Sequence, residues 1–361
     1  MLESHFLIFE IIMNGIATQS ITNQQASTLH AEKLGEVYST RIAEGIMLHV
    51  CPGKQISWEE FKQCTPPFSI ALDGLVRGKP ELDRAGVRAN FNHHEDVVRF
   101  ATRCTTSQVF MAIKDGTLDL FKDPSSGAPL MHVYVNDPDQ DSSFAVWLLA
   151  HHERCKGSRS EPAMMRLIFA EDMLDTTAGL FPFDPESKLA RELAWVFEPY
   201  VLARQAGRLW TMRGSEMANI IDAVGARIDR YVLGDAESVP LDTRYCMIGG
   251  GPGWSMVKTE GFYARAKLRL NGITAYVSYG GEHEGRHKYS IGKLSIADPF
   301  PIEEIYAFLN ELEGFDPATG PHWGGGDTIG GSPRPTGSSL SPKQLEEAIN
   351  TFLERRGGML H

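Results

Sequence analysis

The chain has 361 residues, 42% of them hydrophobic and 22% charged, with a formal net charge of −11. This length supports two or three domains with ample core, and the acidic balance without a basic stripe argues against wrapping long DNA or RNA. Five cysteines (Cys51, Cys64, Cys104, Cys155 and Cys246), odd in number and with no C-x-x-C pair, disfavour a zinc ribbon or a disulfide framework and point to a reducing, cytoplasmic setting.

From the N-terminus, the apolar run Phe6 to Met13 is interrupted by Glu10, has no positive flank and is too short to span a bilayer. No signal peptide, membrane anchor or membrane partner is expected from it, and Met13-Asn14-Gly15 offers an alternative start. Residues 14–40 are rich in Gln, Ser and Thr, so 1–40 reads as a flexible arm. Ser57, followed three residues on by Glu60, predicts a short capped helix over Ile56 to Phe61.

Phe68 to Asp73 is an apolar run closed by Asp-Gly, as expected of a buried parallel strand with a functional carboxyl end. Ala89 to His94 reads as a second strand end. Asp96 to Asp115 reads as a helix whose apolar face carries Val97, Val98, Ala101, Val109, Phe110 and Ile113. Leu130 to Asn136 is a third strand, and Phe144 to His151 a helix opening after Asp141 and Ser142. Met165 to Ala170 reads as a fourth strand, ending in Glu171-Asp172 and Asp175-Thr176. Strands alternating with helices predict an α/β fold, a parallel sheet flanked by helices over 41–184, with its site outside the carboxyl ends of the strands.

The span 185–243 reads as a helical connector, with Trp195, Phe197, Tyr200, Leu209, Trp210, Ile220 and Ile221 spaced for burial. A smaller α+β domain is expected over 244–361. Tyr263 to Arg269 and Thr274 to Tyr279 alternate like strands, and Asn271-Gly272 between them signals a hairpin. His287 to Ser295 reads as a further strand, while Pro301 to Glu313 and Ser341 to Arg355 read as helices. Gly249 to Gly253 lacks what a P-loop needs after it. Gly280 to His287 reads as a polar hairpin tip or a metal or phosphate loop.

Two constellations carry chemistry. Asp139 and Asp141, two residues apart in a loop, can reach one cation together with Asp73 and the histidines His93 and His94. Carboxylates with some imidazole suit manganese or magnesium. The same Asp and Ser residues also suit a helix N-cap, and both readings stand. The second constellation is Gly324-Gly325-Gly326 with Arg334: glycine amides approach a phosphate closely and a guanidinium grips it in a bidentate way.

These residues resemble the DHH phosphoesterase superfamily. Asn92-His93-His94 stands where that family has Asp-His-His, and Thr105-Thr106-Ser107 resembles the helix behind that motif. Pro138-Asp139-Gln140-Asp141 with Ser142-Ser143 resembles its Pro-Asp-x-Asp motif, and Asp175-Thr176 its later Asp-Thr element. Gly324-Gly325-Gly326-Asp327, preceded by Lys288 to Ser295, is similar to its substrate-clamping DHH-associated domain, which ordinarily carries Gly-Gly-Gly-His. The likeness covers roughly 68–180 and 260–340, in short motifs. The motif order is permuted, Asn92 replaces an aspartate, Asp327 replaces the clamp histidine, and Val135 replaces a histidine ahead of Pro138.

The resemblance implies a metal centre of Asp73, Asn92, His94, Asp139, Asp141 and Asp175 binding manganese or magnesium. It implies Asp139, His93 and His94 as catalytic residues, and Gly324, Gly325, Gly326 and Arg334 on the substrate. The expected activity is hydrolysis of a small phosphate ester, a nucleotide or a short oligonucleotide. The alternative is a degenerate relative that binds a phosphorylated ligand without turning it over. A homodimer is compatible with either.

Overall fold

A computed structural model describes residues 32–157, 161–294, 297–333 and 336–358. Most of the expected arm over 1–40, including Met13, lies outside these residues, as does Arg334. The last residues of that arm are already sheet: β1 (Tyr38–Ala43) pairs antiparallel with β2 (Ile46–Val50).

The first sheet has the order β1-β2-β6-β3-β5-β4, with β3 (Ser69–Leu72), β4 (Glu81–Asp83), β5 (Arg88–Phe91) and β6 (Met131–Val135). Its four central strands, β2, β6, β3 and β5, are parallel, and both edge strands are antiparallel. Period-two alternation divides the side chains between two cores. Ile46, Leu48, Val50, Ile70, Leu72, Val133 and Val135 enter one, while Ala71 and Tyr134 face Phe61 in the other. Phe61 belongs to α1 (Trp58–Cys64), which opens with the expected capping box of Ser57 and Glu60.

The larger core is closed by α2 (Thr105–Lys114), α3 (Gln140–Ala150), α4 (His152–Cys155) and α5 (Pro162–Thr176). It is completed by α6 (Lys188–Gln205) and α7 (Gly214–Val232). The span read as a connector is helical, yet Trp195, Phe197, Tyr200, Ile220 and Ile221 share the core of the first sheet. Trp210 is 75% exposed, contrary to its expected burial.

The second sheet has the order β11-β12-β10-β9-β8-β7. It comprises β7 (Tyr245–Gly251), β8 (Trp254–Thr259), β9 (Ala275–His283), β10 (Arg286–Lys293), β11 (Gly324–Gly325) and β12 (Ile329–Gly331). A helix, α8 (Ala264–Leu270), links the parallel pair β8 and β9. One face packs on α9 (Ile302–Glu313) and α10 (Pro342–Gly358) through Met256, Val277, Ile291, Ile305, Leu309, Leu345 and Ile349. The other buries Val257, Leu268 and Tyr276 against Leu180, from the segment after α5. No helix among the described residues is long and apolar enough to cross a membrane.

Four expected elements differ. Met165 to Ala170 is helical, part of α5, because Pro162 starts a run of Ala, Met, Arg and Leu, good helix formers with few β-branched residues. Tyr263 to Arg269 is α8 rather than a strand for the same reason. Asn271-Gly272 ends that helix instead of turning a hairpin: Gly272 has φ +81, and Ile273 N donates to Leu268 O across the cap. The hairpin lies at Glu284-Gly285, between β9 and β10, both residues left-handed. The expected helix Asp96 to Asp115 is shorter: Asp96 has φ +55, Arg99–Ala101 is a 3-10 turn, and α2 begins at Thr105.

Candidate metal centre

Two neighbouring parallel strands end at the same rim, where Leu72 of β3 registers with Phe91 of β5. Asp73 follows at φ +46 and Gly74 at φ +82, turning the chain, while Asp73 N donates to Phe91 O at 2.9 Å. Gly74 also admits the His94 ring, whose Cδ2 lies 3.3 Å from where a Cβ would stand. Asn92 fixes the residues after it: its Oδ1 accepts from His93 N and His94 N, and its Nδ2 donates to Val76 O and Gly78 O. Its amide is thus taken up by backbone.

The other ligands arrive from helix ends. Asp139 is the N-cap of α3, accepting from Ser142 N at 2.9 Å. The N-cap reading of this loop therefore holds, and it does not exclude the other, because the Asp139 carboxyl is also close enough to Asp73 for the two to influence each other's charge. Asp141, in the first turn of α3, is 2% exposed and caps a second helix: its oxygens accept from Thr105 N and Thr106 N of α2, each at 2.6 Å. Asp175 sits in the last turn of α5.

His93 is fully buried at the centre. Its Nε2 lies 2.6 Å from Asp175 Oδ2, 3.7 Å from Asp73 Oδ1 and 3.7 Å from Asp141 Oδ2. His94 Nε2 lies 2.8 Å from Asp73 Oδ1. Two groups, Asp73–His93–His94 and His93–Asp141–Asp175, each place one ligand atom per residue within 4.8 Å of the others, and they share His93. These buried Asp and His groups can hold a metal ion.

The hydrogen bonding fits such an ion. Neither ring nitrogen of His93 has a hydrogen-bond partner, nor does Asp175 Oδ2, although Nε2 and Oδ2 are close. A buried unsatisfied polar atom costs about 1–3 kcal/mol. A cation taking lone pairs from the ring and the carboxylate would satisfy both.

The charges are equally unbalanced. Burial raises Asp141 to about 6, helped by Asp73 and Asp175. Burial, then Asp73, Asp137 and Asp141, raises Asp139 well above the usual range. Burial, then Asp175, does the same to Glu171, whose Oε2 has no hydrogen-bond partner. Against the burial effect, His94 and His93 hold Asp73 low, and His93 and Arg99 hold Asp175 low. Burial would lower His93, but Asp175 raises it. The cluster thus holds more acid than cation, and a divalent ion would correct that.

The centre opens toward the second sheet: the His94 and Asp175 side chains are 37% and 27% exposed. Gly326 lies over His94, its missing Cβ 3.7 Å from His94 O. Gly325, at φ +147, packs so tightly on β12 that a Cβ would come within 2.3 Å of Gly330 Cα. The second half of the chain meets this rim again where Arg265 Nη1 donates to Ala178 O.

The structure therefore gathers Asp73, His93, His94, Asp139, Asp141 and Asp175, and brings Gly326 alongside. Four further residues support the centre: Thr105, named above only in the helix behind the histidine motif, Glu171 and Asp172, named only as acids at a strand end, and Arg99, not singled out from the sequence. Thr105 Oγ1 donates to Asp73 Oδ1; Asp172 accepts from Cys104 N and pairs with Arg103; Glu171 is buried near the acids; Arg99 binds His94 and Asp175. The only sequence signal for Arg99 was its place five residues after His94. Compared with known proteins, the chain matches no family model, no curated protein and no solved structure.

Proposed function

We propose that this chain is a metal-dependent phosphoesterase acting on a small phosphorylated substrate such as a nucleotide or short oligonucleotide, with manganese or magnesium as its cofactor. The observation that carries the reading is His93: buried, unsatisfied at both nitrogens, and shared by two acidic ligand groups on an open rim. Asp73, His93, Asp141 and Asp175 would hold the metal, with Asp139 against Asp73. When bound, the cation would neutralise phosphoryl oxygens and make phosphorus more electrophilic.

The chain's own residues do the rest. With a cation offsetting the neighbouring acids, Asp139 would be free as a carboxylate to take a proton from an attacking water. His94, whose Nε2 lies 2.8 Å from Asp73 Oδ1, would hold that carboxylate in place. The amides around Gly324 to Gly326 would limit the substrate to one that fits beneath them. The excess of acid at the rim disfavours a long polyanion, and the cysteines, all unpaired, suit a reducing cytoplasm.

The test is release of p-nitrophenol from bis-p-nitrophenyl phosphate by the full chain with manganese. Turnover lost in Asp73→Asn supports the reading. Absence of manganese binding by calorimetry sinks it. The binder without turnover is favoured by one observation, that the Asn92 amide is spent on backbone and adds no charge. Manganese and ligand binding without product release would select it.

A further inference from the structure

We infer that Arg99 is a positioning residue that holds His94 as a hydrogen-bond donor and keeps that ring from ligating the metal. Its consequence for turnover rests on the phosphoesterase reading, but its geometry does not.

Arg99 is buried, and its guanidinium is fixed by the end of α5. Nε donates to Thr176 O at 3.2 Å and Nη2 to Asp175 O at 2.7 Å. The last carbonyls of a helix lack partners within it and carry the negative end of its dipole, so a cation belongs there. Nη2 also lies 3.5 Å from Asp175 Oδ1. With those contacts made, Nη1 points at His94 Nδ1, 3.1 Å away.

A guanidinium donates and never accepts. His94 Nδ1 must therefore offer its lone pair, and the ring proton sits on Nε2, directed at Asp73 Oδ1 2.8 Å away. A ligating nitrogen needs its lone pair free. Nε2 could coordinate only if its proton moved to Nδ1, where it would confront the Nη1 proton. The same guanidinium thus touches Asp175 of one ligand group and sets the character of His94 in the other. His94 is left as a fixed N–H donor to Asp73, a carboxylate of the same ligand group, and so orients that carboxylate for the metal. No proton needs to leave the ring.

The full chain is labelled with ¹⁵N-histidine, and the His94 signals are assigned with His94→Asn. Zinc serves as the diamagnetic metal probe. Wild type and Arg99→Lys are expected to show the Nε2–H tautomer of His94 both without metal and with saturating zinc. In Arg99→Met, zinc should remove that N–H and shift Nε2 as coordination does. Turnover of bis-p-nitrophenyl phosphate should then fall about 10- to 100-fold, the range for losing a group that orients a ligand, while manganese affinity stays within a few-fold. Arg99→Lys should restore turnover.

A wild-type Nδ1–H tautomer, or zinc on wild-type His94 Nε2, overturns the inference. So does an Arg99→Met spectrum matching wild type. If Arg99→Met does not fold, the wild-type spectra decide. If wild type has no turnover, the phosphoesterase reading fails, and the tautomer still decides the role of Arg99.

Discussion

His93 Nε2 stands 2.6 Å from Asp175 Oδ2, yet the two groups are not aligned as a hydrogen bond. Two buried polar groups forced together without bonding need a third partner, and a shared cation is the natural one. Because His93 belongs to both ligand groups and Asp175 to one, their variants should differ. Manganese titrated calorimetrically into His93→Ala should bind at least about 100-fold more weakly than into wild type, at or beyond the top of the range for outer-shell losses. Asp175→Asn should bind with an intermediate loss. Wild-type affinity in His93→Ala would place the metal elsewhere.

The pH dependence of stability has a definite sign. Asp141 is raised to about 6, and Asp139 and Glu171 are raised further, burial being the main cause in each. In the unfolded chain such acids titrate near 4. Between these values the folded state binds more protons, so stability present below pH 4 is lost as pH rises through 6 and beyond. His93, also raised, adds a loss above its unfolded value of roughly 6.5. Asp73 and Asp175, held low, are ionised in both states above pH 5 and do not oppose the trend. A cation binds the deprotonated acids and relieves their repulsion. Thermal melts with and without manganese should therefore differ more at pH 7.5 than at pH 5. Equal shifts at the two pH values would count against this electrostatic account.

Asp172 should matter to folding more than to metal. Its Oδ1 accepts from Cys104 N at 3.0 Å, at the start of α2, where Cys104 itself makes no side-chain cap. Asp172→Ala leaves that buried amide unpaired and should cost about 1–2 kcal/mol in urea unfolding, the usual loss for a cap. Asp172→Asn, which keeps an acceptor, should cost less. Manganese affinity should change little in either. A large loss of affinity with unchanged stability would make Asp172 part of the centre.

What was legible from sequence follows from locality. Phe68 to Asp73, Ala89 to His94 and Leu130 to Asn136 announce themselves because parallel strands buried on both faces read as apolar runs, and polar residues at their ends mark the rim. Ser57 and Glu60 form a cap within one turn. Asp141 was legible as a site residue but not as the cap of α2, because its partners Thr105 and Thr106 are 35 or more residues away. Arg99 was invisible for the same reason, its contacts reaching across to Asp175 and Thr176. Met165 to Ala170 misled because a short apolar run fits a strand or a buried helix alike, and Pro162 with its helix-forming neighbours settles which.

Asp327 should matter to substrate binding more than to turnover. It follows Gly326, which lies over His94, and its Oδ1 is buried without a hydrogen-bond partner. A phosphate held at this rim would bring negative charge toward a carboxylate, and such repulsion across several ångströms at a protein surface is worth about 1–3 kcal/mol. Replacing the carboxylate with an amide should remove much of it. Asp327→Asn should lower KM for bis-p-nitrophenyl phosphate about tenfold, with kcat changed far less, since the residue adjoins the substrate rather than the metal. Asp327→His should lower KM further by adding a donor. A rise in KM in both variants would mean that the carboxylate grips a substrate hydroxyl or amine, and that the phosphate lies on another side of the cleft.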